Sequence, residues 1–212
     1  MEDVKPIVLL NLQEQRVLGA LLEKSRTTPD YYPMTINSLV AACNQKTSRN
    51  PVVNYDEETV TLTLNALKIK GLASTVTAPG SRGAKWKHNL AIHCPLLPSD
   101  LAIICLLLLR GPLTPGEINT SSGRLYEFET IEEVQQNLQR LASNEPAFVK
   151  QLPKRPGQKE ARFMQLFGGD NYEETADAND ESHTTVNSQL EERVAKLEAE
   201  VSELKAILDQ LL

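Results

Sequence analysis

Two groups of basic residues in the first half of the chain have the side chains needed to hold phosphate. Lys46, Thr47, Ser48, Arg49 and Asn50 form one polar run, and Arg82, Lys85, Lys87 and His88 lie around a Gly-containing tip with Trp86 among them. Lysine and arginine contact backbone phosphates, while short polar side chains hydrogen-bond base edges. Between the two groups runs the apolar stripe Val60, Leu64 and Leu67, which leaves Thr61, Thr63, Asn65 and Lys68 on the outer side of a helix. Strand alternation places Lys85 and Lys87 on one face and Trp86 on the other, so Trp86 is expected in the core. Asp56, Glu57 and Glu58 open the same helix. They suit its dipole but repel phosphate, so the expected contact surface is the loop and hairpin rather than the helix start.

Metal and catalytic chemistry have less to stand on. His93 and Cys94 are adjacent, not at ligand spacing, and the chain has no CxxC or HxxxH. Gly80-Ser81-Arg82-Gly83 lacks the Lys-Ser/Thr end of a phosphate loop. The pairs Glu57-Glu58 and Glu132-Glu133 fall at helix starts. No catalytic residue, metal ligand or cofactor is expected, and the chain reads as a recognition protein rather than an enzyme.

The elements that must position the basic residues occur twice. Pro33-Met34-Thr35 opens a helix with Leu39 buried four positions on, and Pro112-Leu113-Thr114 does the same with Ile118. The stripe Val60, Leu64, Leu67 returns as Val134, Leu138, Leu141. Each stripe precedes two short β-like runs around a Gly-containing tip. In the first unit a helix over about 12–25 is capped by Asn11 with Glu14, a second starts at Thr35, and a third runs from an Asp56 cap to Gly71. Strands are expected over 72–77 and 84–90. In the second unit, after a linker over 91–98, Ser99 should cap a helix reaching Arg110. Thr114 with Glu117 and Thr130 with Glu133 are capping-box starts, and strands are expected over 148–152 and 161–167. The segment Leu101 to Leu109 is apolar nearly all round, which calls for cover on several sides: the other unit, or a second copy.

The expected fold is therefore mainly α with small β-hairpins (α+β): tandem winged-helix domains plus a C-terminal coiled-coil helix. The expected boundaries are 1–91 and 92–169 for the two domains, 170–185 for a flexible acidic linker and 186–212 for the coil. In the coil, Asn187, Val194 and Val201 fall on a positions and Leu190, Leu197, Leu204 and Leu211 on d positions, with Leu208 extending the seam. Valine at a with leucine at d favours a parallel two-stranded coil, so a homodimer is expected. Arg193 would then face Glu198, and Glu200 would face Lys205.

Charge separates these segments. Residues 1–91 hold 11 basic and 8 acidic side chains, 92–169 hold 8 of each, and 170–212 hold 3 against 12. The acidity lies in the tail, and the first domain is only mildly basic. Leu101 to Leu109 falls short of the roughly 20 residues a membrane span requires. No secretory leader is visible, and Cys43, Cys94 and Cys105 are odd in number and scattered, as in a reducing compartment. A cytoplasmic protein with no membrane partner is expected.

The runs Leu18-Gly19-Ala20-Leu21-Leu22-Glu23-Lys24, Tyr32-Pro33-Met34-Thr35, Ala42-Cys43-Asn44-Gln45-Lys46, Asn50-Pro51-Val52 and Gly80-Ser81-Arg82-Gly83 with Lys85 and His88 resemble the YceH-like bacterial proteins. The resemblance covers about residues 10–168. It implies tandem winged helices, often followed by a coil, and no established activity. On the residues themselves, double-stranded DNA is the first expected partner, through Lys46, Arg49, Asn50, Thr61, Asn65, Lys68, Arg82, Lys85, Lys87 and His88. The alternative is a protein–protein adaptor, similar to the accessory subunits of chromosome-condensing complexes, which the acidic helix starts favour. No sequence feature supports a ligand site in the cleft between the units.

Overall fold

A computed structural model describes residues 6–77, 83–154 and 158–169. All lie in one compact unit, Met1–Asn171. Arg82, the linker over 170–185 and every expected coil residue from Asn187 to Leu211 lie outside the described residues.

The architecture is mainly α with two antiparallel two-stranded hairpins. Helix α1 (Leu12–Thr27) begins at a reciprocal cap: Glu14 N–H donates to Asn11 Oδ1 and Asn11 N–H to Glu14 Oε2. Helix α2 (Ile36–Cys43) is capped by Thr35, so that threonine lies just outside the helix it was expected to begin. Helix α3 (Glu57–Ile69) is capped by Asp56. It stops where Gly71 adopts φ +76°, with Leu72 N–H donating to Leu67 O and Gly71 N–H to Lys68 O. Those two bonds satisfy carbonyls the helix end would otherwise orphan. Strands β1 (Ala73–Val76) and β2 (Lys85–His88) pair with Ala73 opposite His88 and Val76 opposite Lys85.

The second half repeats this order. After a short helix α4 (Leu90–His93), which begins on the last residue of the expected strand and runs into the expected linker, come α5 (Pro98–Arg110), α6 (Pro115–Ser122), α7 (Ile131–Ser143), β3 (Val149–Gln151) and β4 (Phe163–Gln165). Ser99 does not cap α5. Proline is well suited to the first helical position, and Pro98 takes it, making Leu97 the cap residue and Asp100 the acceptor of its N–H. Ser99 is buried and bonds Asn137 Oδ1 instead. A detail absent from the sequence pattern completes the likeness. Met34, ahead of α2, bridges to Trp86 in β2, and Leu113, ahead of α6, bridges to Phe163 in β4. Each hairpin thus gains a third, one-residue rung from the segment before its unit's second helix.

The apolar core is continuous through both halves. Every residue from Ala102 to Leu109 is buried, so α5 spends its apolar surface inside the chain. It packs on α1 at Gly19, where an added Cβ would sit 2.8 Å from Leu109 Cδ2. Complete burial of a leucine side chain contributes about 1.5–3 kcal/mol, which makes this helix pair the main join. Backbone bonds reinforce it: Asn50 N–H donates to Leu109 O at 2.9 Å, and Leu10 N–H to Phe167 O at 2.6 Å.

Candidate nucleic-acid interface

The expected basic surface divides in two when its side chains are placed. On β2, Trp86 is buried, with Lys85 and Lys87 partly exposed on the opposite face. This is the alternation the pleat dictates. In the loop between α2 and α3, Lys46 and Asn50 are exposed. On α3, Asn65 and Lys68 are exposed and Thr61 is half-buried. Thr63, expected outside, is buried, and its hydroxyl donates to Thr59 O at 2.7 Å.

Arg49 is not on this surface. Its side chain is fully buried and forks onto Glu23, with Nη1 to Oε1 at 3.1 Å and Nη2 to Oε2 at 2.6 Å. The same guanidinium donates to Ala42 O and Ser48 O. Beside it Arg16, also buried, donates to Pro51 O. The physical reason is the end of α2. A helix C-terminus leaves carbonyls without partners and carries partial negative charge, and these arginines supply donors to that end and to the loop leaving it. Burial pushes the Glu23 carboxyl up, but Arg49 and Lys24 more than offset this and hold it below its ordinary range.

His88 also turns inward. Its backbone N–H donates to Tyr32 Oη at 2.7 Å, and its ring lies 6.1 Å from the Tyr32 ring. Its Nε2 is 3.3 Å from Ser25 Oγ. That hydroxyl gives its own hydrogen to Leu22 O, so the imidazole must be the donor. Nδ1 is then the bare nitrogen, buried and without a partner among the described residues. Burial, with Arg26 and Lys87 nearby, holds the His88 pKa down to about 4. At neutral pH it offers no charge to a phosphate.

Two cysteine thiols are buried, and burial raises both above their ordinary range, Cys43 to about 12. Among the described residues, no three of His, Cys, Asp and Glu come together as a metal site, and no helix is long and apolar enough to cross a membrane.

What remains on the surface of the first half is a lysine-bearing hairpin face, an exposed loop and the outer side of α3. A protein-family profile described as "Protein of unknown function, DUF480" matches residues 10–158, which span both repeats. The chain belongs to this family. Relatives extend the match over nearly the whole length. A UPF0502 protein of Shewanella piezotolerans is 47% identical over 209 residues, covering 95% of this chain and 96% of the relative. One from Solibacter usitatus is 46% identical over 201 residues, covering 95% of each. The YceH-like resemblance and this DUF480 assignment denote the same uncharacterised bacterial family. The family match leaves Glu23–Arg49 and the partly exposed Lys85 and Lys87 to be interpreted on their own chemistry.

Proposed function

We propose that this protein binds double-stranded DNA as a tandem winged helix, with the first unit making the contact and the second supporting it. The observation that carries this reading is the hairpin face on which Lys85 and Lys87 stand opposite the buried Trp86. Its setting supports the reading. Three helices, a hairpin and a rung from ahead of the second helix follow the order of a winged helix, in which the third helix and the hairpin approach the duplex. Lys46, Asn50, Asn65 and Lys68 add exposed polar and cationic side chains. Both third helices open on exposed carboxylates, Glu57 and Glu58 on α3 and Glu129 and Glu132 at α7, which would repel phosphate and leave the contact to the first unit's loop and hairpin. Pairing of two chains through the tail seam would present two such units and raise their effective concentration.

The test is duplex binding as a function of salt. Lys85→Ala with Lys87→Ala should weaken binding and reduce the slope of log K against log salt by about 2, roughly one per lost phosphate contact. Salt-insensitive binding, or none at low salt, refutes the reading. One observation favours an adaptor instead: Leu62 is 63% exposed and Ile69 87% exposed on the outer side of α3. These residues are seven apart and so share a face with Asn65. Apolar groups there fit a protein surface better than a polyanion.

A further inference from the structure

We propose that the crevice where α1, the α2–α3 loop, the end of α5 and α6 meet is a binding site for a phosphate group. It encloses about 180 Å³, and its lining includes Lys24, Ser48, Arg110, Ser121 and Arg124. Glu23 is the carboxylate in that lining, and Arg49 engages both its oxygens from the buried side. The crevice therefore presents uncompensated positive charge.

Its donors are also in excess. Arg110, the last residue of α5, reaches across with Nη1 donating to Ser121 Oγ and Nη2 to Ser48 Oγ, each at 2.9 Å. Arg110 Nε is buried without a partner among the described residues. A hydroxyl that accepts from a guanidinium keeps its own hydrogen to give, so both serines can donate to a ligand. Lys24 Nζ uses Glu23 and Gln45 and has a third hydrogen left. Arg124 is exposed and makes no ion pair among the described residues. A tetrahedral oxoanion with several acceptor oxygens matches hydroxyl, ammonium and guanidinium donors arranged around a small volume. Ser48 has φ +59°, the positive-φ non-glycine residue among those described. That left-handed conformation strains an L-residue, and here it accompanies the hydroxyl's contact with Arg110.

Lys24 and Ser48 come from the first unit, Arg110, Ser121 and Arg124 from the second, so an occupant would bridge them. This site is independent of the hairpin lysines. A free phosphorylated small molecule and a nucleic-acid backbone carry the same group, and the test separates them. The full-length protein is titrated calorimetrically with pyrophosphate at constant ionic strength in phosphate-free buffer. Saturable binding with Kd at or below about 1 mM is expected. Arg124→Gln should weaken it about tenfold or more, as loss of a charged hydrogen bond does. Ser48→Gly removes the hydroxyl and the backbone strain together, so it should hold or raise the melting temperature while weakening binding several-fold. If a saturating duplex abolishes pyrophosphate binding and Arg124→Gln weakens both, the bound group is a backbone phosphate. If pyrophosphate binds equally well with duplex present, the ligand is a free phosphate compound. Absence of saturable binding up to about 10 mM, or binding that neither substitution changes, overturns the site.

Discussion

His88 gives the chain a pH-dependent stability whose size follows from its surroundings. Its pKa falls from the ordinary 6.5 to about 4 in the folded protein. The depressed value means that the unfolded chain binds a proton first. The stability from keeping this ring neutral is complete above about pH 6.5 and is lost as pH falls toward 4. A shift of that size corresponds to about 3 kcal/mol at full effect. Between about pH 7.5 and pH 5, linkage with those two values removes about 2 kcal/mol. The cause is burial first, with the positive charges of Arg26 and Lys87 adding to it, and the bare Nδ1 is where the cost falls. Protonating it creates a buried donor with no acceptor among the described residues, while Nε2 is already committed to Ser25. Urea unfolding of the wild type and of His88→Gln at the two pH values isolates the effect, since the carboxylates titrate alike in both. The wild type should lose about 2 kcal/mol more than the variant. Equal losses, within about 0.5 kcal/mol, refute the assigned ring geometry and with it the buried, uncharged state of His88.

Two further substitutions test how the scaffold is held. Arg49→Met should cost about 3–5 kcal/mol in chemical denaturation, because it leaves the Glu23 carboxylate with Lys24 alone and takes the donor from the loop carbonyls. A cost below about 1 kcal/mol would return Arg49 to the surface. Gly19→Val should lower stability by about 1–3 kcal/mol, since its first added carbon already lies 2.8 Å from Leu109 Cδ2 and 3.2 Å from Leu108 Cβ. An unchanged melting temperature would show that α1 and α5 have room to separate.

The elements were legible because their signals are local. Asn11 with Glu14, Thr114 with Glu117 and Gly71 at φ +76° act within a few residues of themselves, and spacing alone reveals them. Alternation across one strand places Trp86 in the core, where it lies. Legibility failed wherever the partner is remote in sequence. Glu23 and Arg49 belong to different elements, as do Asp100 and Arg140, whose guanidinium holds the fully buried carboxylate at 2.6 Å. No periodicity links such pairs, so Arg49 reads as a free cation until folding brings Glu23 beneath it. The same limit hid the crevice, whose cations come from α1, α5 and the turn after α6. Ser99 failed for a different reason: two good helix-start signals overlapped, and Pro98 outranked the serine.

The two repeats share a backbone plan, but they are not two free readers. A module that acts alone must close its own core. Here α5 of the second repeat is buried against α1 of the first, and the rungs at Met34 and Leu113 give both hairpins the same anchoring. The α2–α3 loop sits at this join. Lys46 points outward from it, while Arg49 is fixed on Glu23, Ser48 is held by Arg110, and Asn50 N–H is bonded to Leu109 O. Three consecutive positions of one loop are therefore set by α1 and α5 rather than by the loop itself. A change in how α5 sits on α1 would act first on Ser48, Arg49 and Asn50, so the second repeat helps set the loop from which Lys46 is exposed.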